Sequence, residues 1–510
     1  MRPLPIFTAL LIVALTLGSA AVLAFAAPWS GLGAADWAAV RFTLWQALWS
    51  AALCCLLAVP LARALFRRRF AGRDLLIALM GAPFVLPVLV AVLGLLAIFG
   101  RAGPVNLGLD ALGLPTVSIF GLRGVVLANV FLNLPLATRM LLMGWQDIPA
   151  ERFRLAASLS MGPGAVARHL EGPMTARVLP GAFVAICLIC LTSFAVALTL
   201  GGGPKASTVE LLIYQALRFD YDLGRAALLA SVQFGLCAAV TLLAAWATLP
   251  TFHDAGRGYV GAQPPAPPGW RRWSDGALIG AAALFLGLPL LAVVWRGLPG
   301  LTDLPPGIAG AAARSVVVAL GSAGLSLTAA LSLSMAIAAQ PPGHRLLEMA
   351  GMLPLATSSL VLGTGMFVVT RPLAPEDLAL PVTVLVNALM TLPFLVRLIL
   401  PQARRVLADY GRLAGSLGLT GWPALRFLIL PRLRRPLAYG AGLAAALSMG
   451  DLGVIALFAG ENTQTLPVLV SRLMGAYRME AAAAVALVLV AISLALFVVL
   501  DAGGARDVDA

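Results

Sequence analysis

The residues able to do chemistry in this 510-residue chain are few and scattered. His169, His253 and His344 stand far apart, and Cys54, Cys55, Cys187, Cys190 and Cys237 each sit in an apolar run. Cys187 and Cys190 are spaced as CxxC, but with no histidine nearby they read as small polarizable packing residues. The one lysine, Lys205, lies in Gly201-Gly-Gly-Pro-Lys-Ala-Ser207. That run is not a GxxxxGK[ST] phosphate loop, so the chain is expected to carry no nucleotide-hydrolysing site, no catalytic residue and no metal. Asp451 is the clearest acidic residue inside an apolar run. An ionisable group within a membrane span is a functional candidate by default. It reads either as an anion facing a cationic solute or as a cap or gate beside Gly450 and Gly453. Asn129, Asn133, Asn387, Tyr214, Gln215 and Gln233 are further pathway candidates, each equally readable as an interhelical hydrogen-bond partner.

The elements that must position these groups follow from composition. Sixty per cent of the residues are AVILMFWYC, 11% are charged, and the mean hydropathy is +0.95. Soluble domains run at about 45–50% apolar and about 25% charged, and a membrane helix needs roughly 20 apolar residues. The expected fold is an all-α polytopic membrane protein. About twelve spans are expected, near 5–27, 38–64, 74–100, 118–143, 178–201, 225–250, 276–297, 308–340, 346–370, 379–400, 437–459 and 480–502. The net charge of +13 is carried by arginine clusters at 67–73, 139–177, 257–272 and 397–435. Each falls between spans on one side, and Lys/Arg excess marks cytoplasmic loops. The charge therefore reads as topology, with both termini cytoplasmic, and not as a nucleic-acid footprint. Ala24-Phe25-Ala26 fits a signal-peptide cleavage site, but losing the first span would break the symmetry that follows, so it is expected to stay.

That symmetry is an internal repeat. Asn129-Val-Phe-Leu-Asn-Leu-Pro135 matches Asn387-Ala-Leu-Met-Thr-Leu-Pro393, and Arg139 matches Arg397, all 258 positions apart. Arg154-Leu-Ala-Ala-Ser-Leu-Ser160 meets Arg412-Leu-Ala-Gly-Ser-Leu-Gly418 at the same spacing, as do Pro173 with Pro431 and Ser193 with Asp451. The chain divides into a first unit over 1–260, a cytoplasmic linker over 261–275 and a second unit over 276–510. Each unit carries six spans.

The repeated segments at 150–175 and 408–433 resemble the EAA loop of ATP-binding-cassette importer permeases. In the second copy Arg412, Leu413 and Ala414 stand at the motif start, with Gly418 and then Leu428-Ile-Leu-Pro431 at the expected spacing. In the first, Arg154, Leu155 and Ala156 stand at the start, Ser160 takes the glycine position, Gly162 follows, and Leu170-Glu-Gly-Pro173 closes it. Glycine permits the positive φ of a tight turn, and proline suits the point where a helix restarts. The resemblance implies two elbows, each a coupling helix seated on a separate ATPase subunit.

Ser193-Phe-Ala-Val-Ala-Leu-Thr-Leu-Gly-Gly-Gly-Pro204, the run from Ser207 to Arg225, and Ser448-Met-Gly-Asp451 with Thr465-Leu-Pro467 resemble the permeases of thiamine and thiamine pyrophosphate importers. This implies a type I ABC importer permease in the bacterial inner membrane. Two copies of a cytoplasmic ABC ATPase, holding ATP and Mg, and a periplasmic thiamine-binding protein would be its partners, with no cofactor on this chain. Phe219, Asp220, Tyr221 and Asp222 would suit docking of the binding protein, or a helix lying on the membrane. Iron(III) permeases share the layout and remain an alternative. An ion-driven transporter would need more midplane carboxylates than Asp451 supplies.

Overall fold

The computed structural model describes residues 3–28, 31–80, 86–203, 206–246, 269, 271–373, 377–458, 460 and 463–505. Lipid offers no partner for backbone N–H and C=O groups, so an apolar chain must satisfy them within helices. The described residues are accordingly helical, with no strand among them.

The first unit runs through α1 (Pro3–Ala26), α2 (Ala34–Arg67), α3 (Arg73–Leu79), α4 (Val88–Phe99), α5 (Pro104–Ala111) and α6 (Leu122–Gln146). It continues through α7 (Ala150–Ser158), α8 (Pro163–Val166), α9 (Gly172–Leu191), α10 (Phe194–Leu200), α11 (Val209–Arg218) and α12 (Leu223–Trp246). The second comprises α13 (Arg271–Gly297), α14 (Ile308–Ala338), α15 (His344–Met352), α16 (Ser359–Thr370) and α17 (Ala379–Ser416). It ends with α18 (Gly421–Ala424), α19 (Leu430–Met449), α20 (Gly453–Phe458), α21 (Leu466–Gly475) and α22 (Met479–Ala505). Eleven described helices are long and apolar enough to cross a membrane, or twelve if the bent pair α15–α16 is one span. Of the segment expected as a linker, 261–268 and 270 lie outside the described residues, while Arg271 already opens α13.

Four expected spans are broken. The helix that opens the 74–100 run ends at Leu79, and the run is helical again as α4 from Val88. The 346–370 run bends by 92°, because Pro354 closes a short 3₁₀ turn and Ser358 caps a new helix by accepting from the Val361 N–H at 3.1 Å. The 178–201 run stops at Leu191 and restarts as α10, and the 437–459 run stops at Met449 and restarts as α20.

The spacing of 258 is kept in three dimensions. It separates α8 from α18, the π turn Ala167–Glu171 from the π turn Leu425–Ile429, and α9 from α19. The opening helix of each unit leans on the other unit. Helix α1 packs against α14, α15 and α16 as well as α12, and α13 packs against α2 and α4 as well as α22. Both crossings need a glycine. A Cβ on Gly365 would meet Ser19 Cβ at 2.6 Å, and one on Gly94 would meet the Pro289 carbonyl oxygen at 2.4 Å. Small residues let helix backbones approach this closely in a membrane.

Candidate functional site

Each elbow is a helix closed by one left-handed residue. In the first, the Ser160 N–H donates to Ala157 O at 3.0 Å and the Met161 N–H to Ala156 O at 2.9 Å. In the second, Gly418 donates to Gly415 O at 3.2 Å and Leu419 to Ala414 O at 2.8 Å. This paired pattern is the Schellman closure, which needs a left-handed residue just past the helix. Gly418 supplies it at φ 66°, and Ser160 supplies it at φ 53° despite its side chain. Gly162, two residues later, lies at φ −66° and precedes α8.

The closure sets which side chains face out. Ala156 and Ala414 turn inward and are buried. Leu155 and Leu159 are 60% and 65% exposed, and Leu413 and Leu417 are 55% and 65% exposed. Arg154 and Arg412 are exposed beside them, Pro173 and Pro431 are exposed where α9 and α19 begin, and Leu428 is half-buried. In the second elbow Trp422 and Phe427 extend the exposed apolar face. Exposed apolar patches with a polar rim mark sites that meet another protein or a membrane.

A polar seam runs through both units. Asn129 Nδ2 donates to Gln46 Oε1 at 2.8 Å, and Ser193 Oγ donates to Asn129 Oδ1 at 3.2 Å. Gln46 Nε2 donates in turn to Cys190 O at 2.7 Å. In the second unit Asn387 Nδ2 donates to Ser448 Oγ at 3.0 Å, which donates to Ser322 Oγ at 3.2 Å. Asp451 faces Asn387, and its Oδ1 accepts from the Gly453 N–H at 3.3 Å, capping α20. It lines a narrow crevice with Ser315, Thr383, Ser448 and Thr465. The structure thus joins Asn129 to Ser193 and sets Asp451 near Asn387, with Asp451 Oδ2 buried and without a hydrogen-bond partner. Tyr214 is set apart on α11, against Phe194 at 5.2 Å and Phe219 at 5.8 Å, and Gln215 is half-buried beside it.

Three groups escaped the reading of the sequence. Thr43 Oγ1 and Ser315 Oγ each accept, at 2.9 Å, the first N–H of a short helix, from Val209 of α11 and Leu466 of α21. Glu210, on α11, is buried between the units. Its carboxyl accepts from Gln233 Nε2 at 3.0 Å and is also hydrogen-bonded by Ser358 of the second unit. Helix α11, at 10 residues, is too short to cross a membrane by itself. Burial raises the Glu210 carboxyl from the ordinary 4.5 to about 7, against the opposing pull of Ser358 and Gln233. A lone carboxylate two residues into a short helix carries no motif that could have marked it.

At the end opposite the elbows, Tyr221 (φ 54°) and Tyr477 (φ 57°) occupy corresponding corners of the two units, and both are exposed. Asp220 and Asp222 are engaged locally: Asp220 pairs with Arg225 at 3.6 Å, and Asp222 caps α12 through the Arg225 N–H at 2.9 Å.

No family model matches the chain. The thiamine transport system permease protein ThiP of Escherichia coli K12 is 37% identical to it over 521 residues, covering 96% of this chain and 95% of its own length. The chain belongs to the thiamine transport permease family. ThiP of Brucella abortus strain 2308 is 36% identical over 482 residues, covering 93% of this chain and 89% of its own. The molybdenum transport system permease protein ModB of Mycobacterium bovis is 32% identical over 210 residues, 40% of this chain and 76% of its own length. Similarity to a permease over a stretch nearer one unit than two accords with the double layout. This permease is thus a multi-pass membrane protein built of two repeated units, with paired elbows at one end and a buried polar seam between them and the opposite face.

Proposed function

We propose that this chain is the membrane subunit of an ATP-driven, binding-protein-dependent importer in the bacterial inner membrane, carrying thiamine and its phosphate esters. The observation that carries the reading is the full-length similarity to thiamine transport permeases. The elbows support it: both present exposed leucines and an arginine on a helix with the same closure, as a face seated on a partner would. Each elbow would seat one copy of a cytoplasmic ATPase subunit, which would hold ATP and Mg, because this chain has no lysine-bearing phosphate loop of its own. Closure of the ATPases would displace the elbows and rock the two units about the seam, opening a path alternately to each side. Tyr221 and Tyr477 would meet a periplasmic thiamine-binding protein. Affinity would then reside mainly in that protein, and the seam need hold its solute only in passing.

The deciding measurement is thiamine uptake in a strain lacking the chain, with iron(III) uptake as control. Lost thiamine uptake, restored by the chain, supports the assignment. Unchanged thiamine uptake with lost iron uptake would replace the substrate while keeping the permease class. Recovery of an active transporter without any ATPase would overturn the class itself.

A further inference from the structure

The two elbows are alike in their turns and unlike in how they are held. In the second unit one helix, α17, runs from the membrane through to the elbow with Pro393 and Pro401 inside it. In the first unit α6 ends at Gln146 and the elbow helix α7 begins only after Pro149. Helical continuity therefore cannot carry a displacement of the first elbow into the membrane.

Another connection stands in its place. Arg63, Phe66 and Arg67 share one face of α2. Glu171, fully buried in the π turn of the first elbow, takes Arg63 Nε at 2.8 Å and Arg67 Nη2 at 2.8 and 3.0 Å. Arg67 Nε adds a contact at 3.3 Å. Phe66 packs on Trp145 at 5.7 Å and on Phe153 of α7 at 6.2 Å, and Trp145 Nε1 donates to the Glu171 carbonyl at 3.3 Å. One turn of α2 thus grips both arms of the first elbow.

Among the described residues of the second unit these contacts are absent, and its two arms meet instead through Arg432 over the Tyr410 ring at 3.7 Å. At the spacing of 258, Ile429, Ala403 and Gly411 replace Glu171, Trp145 and Phe153. Helix α14 is the counterpart of α2, with Ser315 and Ser322 answering Thr43 and Ser50, and it carries Met335, Ala338 and Ala339 in place of the gripping residues. Ile429 is itself buried, so an apolar side chain fills the site without difficulty. A buried ion pair adds little net stability over well-packed apolar residues of similar volume. Its presence on one side only calls for a task other than holding the fold.

We propose that Glu171 is a positioning residue for energy coupling: held by Arg63 and Arg67, it transmits movement of the first elbow to α2, while the second elbow transmits through α17. The proposal rests on the importer reading, since it needs an ATPase to move the elbow. The triple variant Arg63→Met/Arg67→Ala/Glu171→Ile gives the first unit the residues of the second. Reconstituted into vesicles with the ATPase subunits and thiamine-loaded binding protein, it is expected to assemble in normal yield and keep basal ATP hydrolysis. Stimulation by the binding protein, and thiamine taken up per ATP, should fall at least tenfold. An uptake-to-hydrolysis ratio equal to wild type would overturn the proposal. Should the triple variant fail to assemble, Arg67→Lys decides, because it keeps the charge and loses the forked contact. A lowered ratio with normal basal hydrolysis supports the clamp, and an unchanged ratio overturns it. Absence of ATP-driven uptake in wild-type vesicles would instead overturn the importer reading, and the clamp with it.

Discussion

Ser160 and Gly418 occupy the same left-handed position of the same helix closure, 258 residues apart, with φ of 53° and 66°. The hydrogen-bond pattern around them is the same, so the fold demands the conformation and the side chain merely tolerates or resists it. A non-glycine residue held left-handed costs about 1–2 kcal/mol. Ser160→Gly should therefore raise the thermal midpoint of the detergent-solubilised protein. Gly418→Val should lower it by a similar energy, because open space around Gly418 leaves backbone strain as the only penalty. Equal midpoints for both variants and wild type, followed by tryptophan fluorescence on heating, would contradict a shared strained turn.

The outward faces of the elbows make a separate prediction. Leu413 and Leu417 are exposed one turn apart, Arg412 is exposed beside them, and Ala414 faces the protein. Leu413→Glu should abolish co-purification with an ATPase subunit while leaving insertion and thermal stability near wild type, since more than half of the side chain is already exposed. Arg412→Glu should weaken coupling in the same way. Ala414→Glu should differ by destabilising the elbow itself. The measurement is ATPase recovered per permease, alongside yield from the membrane fraction.

Glu210 gives the interface between the units a pH dependence. Its carboxyl is raised from 4.5 to about 7, so between those values the folded protein binds the proton that the unfolded chain has released. Stability contributed by this group is full below about pH 4.5 and is lost as pH rises through about 7. Glu210→Gln keeps the hydrogen-bonding shape without the ionisation. It should flatten the decline of the thermal midpoint between pH 5 and 8, and should leave the variant at least as stable as wild type at pH 8. An identical pH profile for both proteins would remove Glu210 from this role.

The repeat was open to reading because Asn129, Arg154 and Pro173 recur at one spacing, and a conserved spacing in one chain demands a repeated backbone. What composition could not disclose are events at right angles to an apolar run. The window 346–370 is apolar throughout, so nothing in its hydropathy marks the 92° bend, which is made by Pro354 and the cap at Ser358. The exchange of α1 and α13 between units depends on Gly365 and Gly94 meeting helices hundreds of residues away. Thr43 was invisible for the same reason: its partner, the Val209 N–H, is 166 residues distant. Glu171 fell at the unconstrained position of the motif ending, and its partners on α2 lie 108 and 104 residues away.

The role of Asp451 can be separated by a single variant pair. The structure shows its carboxylate capping α20 through the Gly453 N–H and facing Asn387, while Ser193 at the matching position of the first unit bonds Asn129. A cap needs only an acceptor oxygen and is worth about 1 kcal/mol; attraction of a cation needs the charge. Asp451→Ser, which rebuilds the first unit's arrangement, preserves an acceptor and removes the charge, whereas Asp451→Ala removes both. If the cap is the whole function, Asp451→Ser should transport thiamine as wild type does, with only Asp451→Ala losing stability. The short crevice around Asp451 and the equivalence with Ser193 favour that outcome. A rise in the KM for thiamine in Asp451→Ser, with thermal midpoint unchanged, would show instead that the carboxylate meets the cationic solute on its way through the seam.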